Sequence, residues 1–150
     1  MSSPTINIGT FTASKEQHVT KERLLSVTMV VFGLVSVALY PLAMVWPSGW
    51  AWHSGSPGAN DYFLMIVGIY GTLGVLLISA AREPTSNLSL VKFAIWSSVV
   101  HAGVMTFEAL RESAHRAHLY GDVPALLLAA TVLGVLSRGL ADRLPRALAV

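Results

Sequence analysis

Residues 89–118 read SLVKFAIWSSVVHAGVMTFEALRESAHRAH, a long apolar segment that carries ionisable side chains in its middle. Its apolar part is long enough to cross a bilayer, which takes roughly 20 residues of helix. His101 and Glu108 are seven residues apart, so on a helix they return to almost the same face. Ionisable groups inside a membrane are costly and by default indicate a functional site. The segment therefore predicts a membrane-spanning helix with a polar face.

The composition of the whole chain agrees with a membrane protein. Of its 150 residues, 53% are apolar and only 12% are charged, whereas soluble domains carry about 25% charged residues. The chain has no cysteine, which excludes disulfides, thiolate metal sites and CxxC redox chemistry. Its formal charge of +2 comes without a basic stripe interleaved with aromatic residues, so nucleic acid is not an expected partner.

Three further apolar runs, together with this segment, predict an all-α integral membrane protein that folds as a four-helix bundle. The predicted helices cover about 24–46, 62–81, 89–115 and 123–141. They form one membrane domain over residues 19–150. Residues 1–18 are rich in Ser and Thr and lack hydrophobic periodicity, so they predict a flexible polar tail.

Two features modify the first predicted span and the loop that follows it. Pro41 has no amide hydrogen, which leaves the carbonyl of Val37 without its helical partner and predicts a kink. The following loop contains Trp46, Trp50 and Trp52. Amphipathic aromatic side chains gather at membrane–water boundaries, so the loop predicts an interfacial belt. A site where aromatic rings stack on a ligand is the alternative.

Positive charges predict the orientation of the chain. Lys and Arg gather in the N-terminal tail, in the turn between the second and third helices and at the C-terminus, whereas the first loop has none. Because cytoplasmic loops carry the excess of Lys and Arg, both termini are predicted to be cytoplasmic. The expected location is a bacterial-type inner membrane, where the multi-pass chain contacts the lipid bilayer.

The predicted depth of His101 suggests its neighbours. A helix rises about 1.5 Å per residue, so His101 lies roughly 15 Å from the outer end of its helix, close to the midplane. Antiparallel packing places Thr72 and Thr131 at the same level. Met105 lies between His101 and Glu108 on their shared face. These residues predict an inward polar seam that binds a small hydrophobic ligand, a pigment or a proton.

Other interpretations of these side chains stay open. His101 can be a neutral imidazole bonded to a neighbouring helix, and Glu108 a carboxyl group at the membrane boundary. Glu112, His115 and His118 have the Glu-x-x-His spacing of di-iron bundles, which need this motif on two helices. The sequence has no second copy, so the three are weak candidates for binding zinc or copper. A solvated helix end is the simpler interpretation.

The strings YPLAMVWPSGWAW, MIVGIYGTLGVLL, WSSVVHAGVM and HLYGDVPALLLAA together resemble a family of small bacterial four-helix membrane proteins of uncharacterised activity. The resemblance covers roughly residues 24–140 and lies mainly in the junctions 46–50, 97–103 and 121–124. It implies the four-span topology and points to His101 and Asp122, but Glu108 is not carried over from it. It implies no particular cofactor. Asp122 is also a good N-cap for the last predicted helix.

Three functions are compatible with these features. The first is an accessory or structural subunit that packs against other membrane subunits or against itself, since little of the chain lies outside the membrane. The second is a binding or transport protein that uses the seam around His101 and Glu108. The third is an enzyme that uses His101 with Glu108 or Asp122. The sequence argues against the third, because no hydrolase, P-loop or dinucleotide motif occurs in a usable context.

Overall fold

The computed structural model describes residues 8–50, 57–138 and 140, and this part of the chain is all-helical, with no strand. Its α-helices are α1 (Ile8–Val37), α2 (Leu39–Val45), α3 (Pro47–Trp50), α4 (Asp61–Ala80), α5 (Leu88–Arg111) and α6 (Asp122–Ser137). Short 3₁₀ turns precede α4 and α5, and a longer 3₁₀ segment, Ser113–Leu119, joins α5 to α6. The predicted helical class is therefore confirmed for the described residues.

Three helical segments within the described residues are long and apolar enough to cross a membrane. They are α4, α5 with the turn before it, and the 3₁₀ segment together with α6. α1 and α2 make a fourth if the bent pair counts as one span. The bend between them measures 58° and lies at Ala38, just before Pro41. The kink that Pro41 predicts is therefore present.

Several helix bounds differ from the predicted ones. α1 begins at Ile8, so helix extends into the predicted tail, whose residues 1–7 lie outside the described part. This extension is physically reasonable because Ser and Thr only weakly disfavour helix. α5 ends at Arg111 rather than near residue 115, because the chain changes there to 3₁₀ geometry. α6 ends at Ser137, short of the predicted 141, and the described part of the chain stops at residue 140.

Two helix pairs build the described molecule. α1 packs along α4, α5 packs along α6, and the two pairs meet chiefly where α1 contacts α6. The Ser26 hydroxyl of α1 donates a hydrogen bond to the carbonyl of Ala81, at the end of α4. Further along α1, Gly33 faces Gly74 of α4. Residue numbers thus rise along α1 as they fall along α4, so these two helices are antiparallel.

The hydrophobic core lies where the four long helices face one another. Its most completely buried large side chains include Leu25, Met29, Leu77, Met105 and Leu133. Met105 was predicted to line the polar seam, but it is only 1% exposed and packs within this apolar core. Met105 therefore faces the inside of the molecule, but it packs among apolar side chains of the core.

α1 and α4 touch backbone to backbone at Gly33 and Gly74. A Cβ atom added to Gly74 would lie 2.5 Å from the carbonyl oxygen of Gly33 and 2.9 Å from a methyl group of Val37. A Cβ atom added to Gly33 would lie 2.8 Å from the carbonyl oxygen of Gly74. Both approaches are shorter than side chains tolerate. Small residues let membrane helices approach closely, and at this crossing the absence of a side chain is required on both helices.

Gly74→Ala should therefore lower the stability of the protein by about 1–3 kcal/mol, because its methyl group meets rigid backbone. Gly71→Ala is the matched control on the same helix, since nothing lies within 4 Å of the Cβ atom it would add. Both changes gain the same helix propensity, about 1 kcal/mol. Thermal unfolding in detergent compares the two variants. Equal melting temperatures would contradict the close contact.

Candidate functional site

A large pocket opens between α1, α4 and α6 and receives one side chain of α5, His101. Its volume is about 950 Å³, which lies within the roughly 300–1,000 Å³ of small-molecule sites. Most of its walls are apolar. They include Val27, Val31 and Phe32 of α1, Ile66 and Ile69 of α4, and Leu126, Ala129 and Val132 of α6. The shape and the lining suit a small, largely apolar molecule.

Polar groups reach this pocket from three helices. Tyr70 of α4, His101 of α5 and Asp122 of α6 all border it. The Tyr70 and His101 rings meet edge to face, with their centroids 5.4 Å apart and their planes at 85°. Asp122 lies within electrostatic range of both rings. Together with His118, which bonds to Asp122, these residues are called the polar cluster below.

His118 positions the carboxylate of the polar cluster. Its Nδ1 atom lies 3.0 Å from Oδ2 of Asp122. Both residues are buried, His118 at 1% and Asp122 at 7% exposure. The other carboxylate oxygen, Oδ1, is buried and has no hydrogen-bond partner among the described residues. Because buried polar atoms nearly always have partners, Asp122 has acceptor capacity that the described protein does not use.

The 3₁₀ segment Ser113–Leu119 brings these groups inward. Residues three apart eclipse one another in 3₁₀ geometry, and the His115 and His118 rings accordingly lie 6.2 Å apart, edge to face. α6 has only 16 residues, about 24 Å of helix, whereas the hydrocarbon layer is roughly 30 Å thick. A span of full length would therefore include the segment before α6. Asp122, the first residue of α6, is 7% exposed and so lies inside the protein.

Asp122 does not have the local role that the sequence predicts for it. The N-cap residue of α6 is Gly121, and no side chain caps the helix. The Asp122 carboxylate turns back toward His118 instead. Its negative charge still lies in the first turn of α6, where the helix dipole stabilises an anion. The predicted N-cap is therefore wrong by one residue, while the electrostatic preference for an acidic residue there is satisfied.

The structure separates residues that the sequence analysis placed in one seam. His101 and Asp122 border the pocket, whereas Glu108 is half-buried and does not. Thr72 and Thr131 are exposed, and each hydroxyl donates to the carbonyl four residues earlier on its own helix, at 2.9 and 2.7 Å. Placing these two threonines beside His101 was wrong. A depth argument fixes the height of a residue along its helix but not the face it occupies.

Glu112, His115 and His118 do not surround a common point. The His115 Nδ1 atom lies 3.8 Å from Oε2 of Glu112, whereas His118 pairs with Asp122. Among the described residues, no group of three or more His, Cys, Asp or Glu side chains is placed to hold a metal ion. The predicted zinc or copper site is therefore wrong for this part of the chain, since α5 ends before the motif begins.

Sequence reasoning missed Tyr70 and the pairing of His118 with Asp122. His118 and Asp122 are four residues apart, a spacing that pairs side chains on a continuous helix, but the intervening turn made this pairing unexpected. Tyr70 lies within the apolar helix α4, whose sequence pattern predicts only packing residues. Trp50 also borders the pocket, which supports the aromatic-site alternative for its loop. Trp52, in the same loop, lies outside the described residues.

A model of a protein family described as a family of unknown function, DUF6632, matches residues 19–147. The chain belongs to the DUF6632 family. The match includes all four predicted spans and the whole polar cluster. It agrees with the resemblance to a family of uncharacterised activity, and the DUF6632 description states neither a membrane location nor a bacterial source. No curated protein and no solved structure matches the chain.

His118→Phe should destabilise this DUF6632 protein, because it leaves the buried carboxylate of Asp122 without a donor. Removing one partner of a buried pair costs about 3 kcal/mol or more. The double variant His118→Phe with Asp122→Leu replaces both partners by apolar groups and should recover most of that loss. Thermal unfolding in detergent measures both. If the double variant is no more stable than the single one, the pair does not behave as a buried interaction.

Proposed function

We propose that this chain is a four-span inner-membrane protein with both termini in the cytoplasm. α1 and α2 form one bent span, α4 and α5 the next two, and the 3₁₀ segment with α6 the fourth. The lengths and composition of these helices support the assignment. Lys21 and Arg23 near the start of the first span, together with Arg82 just after α4 and Lys92 near the start of α5, support the orientation.

Its function is to bind a small, largely apolar molecule in the pocket between α1, α4 and α6. One observation carries this proposal: a pocket of about 950 Å³ has apolar walls and a buried carboxylate with unused acceptor capacity. Binding sites combine such walls with a few convergent polar groups that fix the orientation of the ligand. His101, Tyr70 and Asp122 are those groups here. Glu108, part of the predicted seam, has no role in this site.

The ligand enters from the lipid. Several residues that border the pocket also lie on the outer surface of the helices, among them Val27 and Val31 of α1, Ile69 of α4 and Leu128 of α6. Each is more than half exposed, and in a bilayer these side chains contact lipid tails. A molecule dissolved in the membrane therefore reaches the pocket between α1 and α6 without crossing the aqueous phase. The apolar lining then replaces lipid contacts with protein contacts.

An accessory subunit in a larger membrane assembly is the competing function. Exposed apolar side chains such as Phe93 and Trp96 of α5 are compatible with a partner subunit or a second copy. Lipid tails cover such side chains equally well, so this face does not favour a partner. A subunit of this kind would need neither the pocket nor the polar cluster. The two functions therefore make different predictions for substitutions in the pocket.

Ala125→Trp should abolish ligand binding while leaving the protein folded. Ala125 borders the pocket one helical turn after Asp122, so an indole placed there covers the polar end of the pocket. Native mass spectrometry of protein gently extracted from its own membranes should show a small molecule bound to the wild type. The variant should lack this adduct, with the occupied fraction falling at least about tenfold, as expected when a ligand loses its space.

Thr131→Trp is the matched control, because Thr131 lies on the same helix but is exposed and does not border the pocket. It should retain the bound molecule. Extraction of a large assembly with defined protein neighbours, with no small molecule on the chain, would refute the binding function. That result, unchanged in Ala125→Trp, would establish the accessory-subunit function instead.

A further inference from the structure

The carboxylate of Asp122 specifies the head group of the ligand. We propose, building on the binding function above, that the ligand has an apolar body and a hydrogen-bond donor at one end, either a hydroxyl or a protonated amine. The donor bonds to Asp122, and the apolar body lies between α1, α4 and α6. Ligands whose head group is an anion, or a polar group without a donor, are excluded.

The hydrogen bonding of Asp122 supports a donor on the head group of the ligand. A carboxylate offers about four acceptor positions. His118 occupies one of them, on Oδ2, at 3.0 Å, while Oδ1 is buried and accepts nothing from the described residues. The Asp122 side chain is still 10% exposed and borders the pocket, so its carboxylate can accept a further hydrogen bond from a ligand donor. Bonds to a charged acceptor are also the stronger kind, which gives the head group more selectivity than a neutral acceptor would.

The charges around the pocket exclude an anionic head group. Among the described residues that border it there is neither Lys nor Arg, and Asp122 supplies a carboxylate. A phosphate or carboxylate on the ligand would face this negative charge without a fixed cation to offset it. The N-terminus of α6, which attracts anions, already lies next to the Asp122 carboxylate itself.

Tyr70 and His101 favour a ligand head group that both donates and accepts hydrogen bonds. The Tyr70 hydroxyl can donate or accept, and a neutral imidazole carries one donor and one acceptor. Both side chains border the pocket within electrostatic range of Asp122. A ligand hydroxyl can therefore donate to Asp122 while accepting from one of these two groups. A protonated amine can satisfy the carboxylate alone, with charge attraction added.

Four dodecyl probes with the same chain and different head groups test the proposal on the full-length protein in detergent. They are dodecanol, dodecylamine, dodecyl methyl ether and dodecanoate, used at about pH 8, where the amine is protonated and the acid is ionised. Native mass spectrometry of the one-to-one adduct gives the dissociation constants. The signal from Ala125→Trp is subtracted as nonspecific binding. Dodecanol and dodecylamine should bind at least about tenfold more tightly than the other two.

Asp122→Leu keeps an apolar side chain of similar size and removes the acceptor, so it should bring all four probes to nearly equal affinity. Thr131→Leu, on the exposed side of the same helix, should keep the wild-type preference. If Asp122→Leu does not fold, the ranking of the four probes on the wild type still decides.

Failure of this proposal is distinct from failure of the binding function. Equal binding of all four probes, each sensitive to Ala125→Trp, would leave the pocket as a binding site and overturn the donor requirement. Preference for dodecanoate or for the methyl ether would overturn it equally. If no probe forms an adduct that Ala125→Trp removes, both the donor requirement and the binding function are refuted.

Discussion

The contact between Gly33 and Gly74 is the constraint on which the rest of the structure depends. It brings the backbones of α1 and α4 together, so that each carbonyl oxygen lies where a side chain of the other helix would begin. In lipid there is little hydrophobic drive for helices to associate, and close backbone packing supplies the attraction instead. With α1 fixed on α4 at this crossing, the space between α1 and α6 stays open nearby. The pocket lies in that space.

Two breaks in helical geometry then decide what borders the pocket. The bend at Ala38 turns α2 away from the axis of α1 and allows α3 to carry Trp50 to the pocket. At the other hairpin, the 3₁₀ segment delays the start of α6, so that Asp122 lies inside the protein rather than at its edge. A continuous α-helix at either place would leave an apolar groove without this arrangement of polar groups.

The sequence predicts the long apolar helices because their length and composition are those that the thickness of a bilayer requires of a spanning helix. It also identifies His101 and Asp122, since ionisable groups in apolar surroundings are conspicuous. It fails on Thr72 and Thr131 because threonine can bond within its own helix and so needs no polar neighbour. It fails on His118 because its pairing with Asp122 depends on how the chain turns between α5 and α6, and periodicity does not specify such a turn.

The pair of His118 and Asp122 is hard to explain by stability alone. Buried ion pairs seldom stabilise a protein more than apolar residues of similar volume, because desolvation offsets the attraction between the charges. A lone structural hydrogen bond would also not require a carboxylate with an unused oxygen at the border of an apolar pocket. The buried pair and the unused oxygen are both expected if the Asp122 carboxylate also accepts a hydrogen bond from a ligand. The 3₁₀ segment, the short α6 and the buried histidine are then parts of one arrangement, which holds an acceptor in place at the border of the pocket.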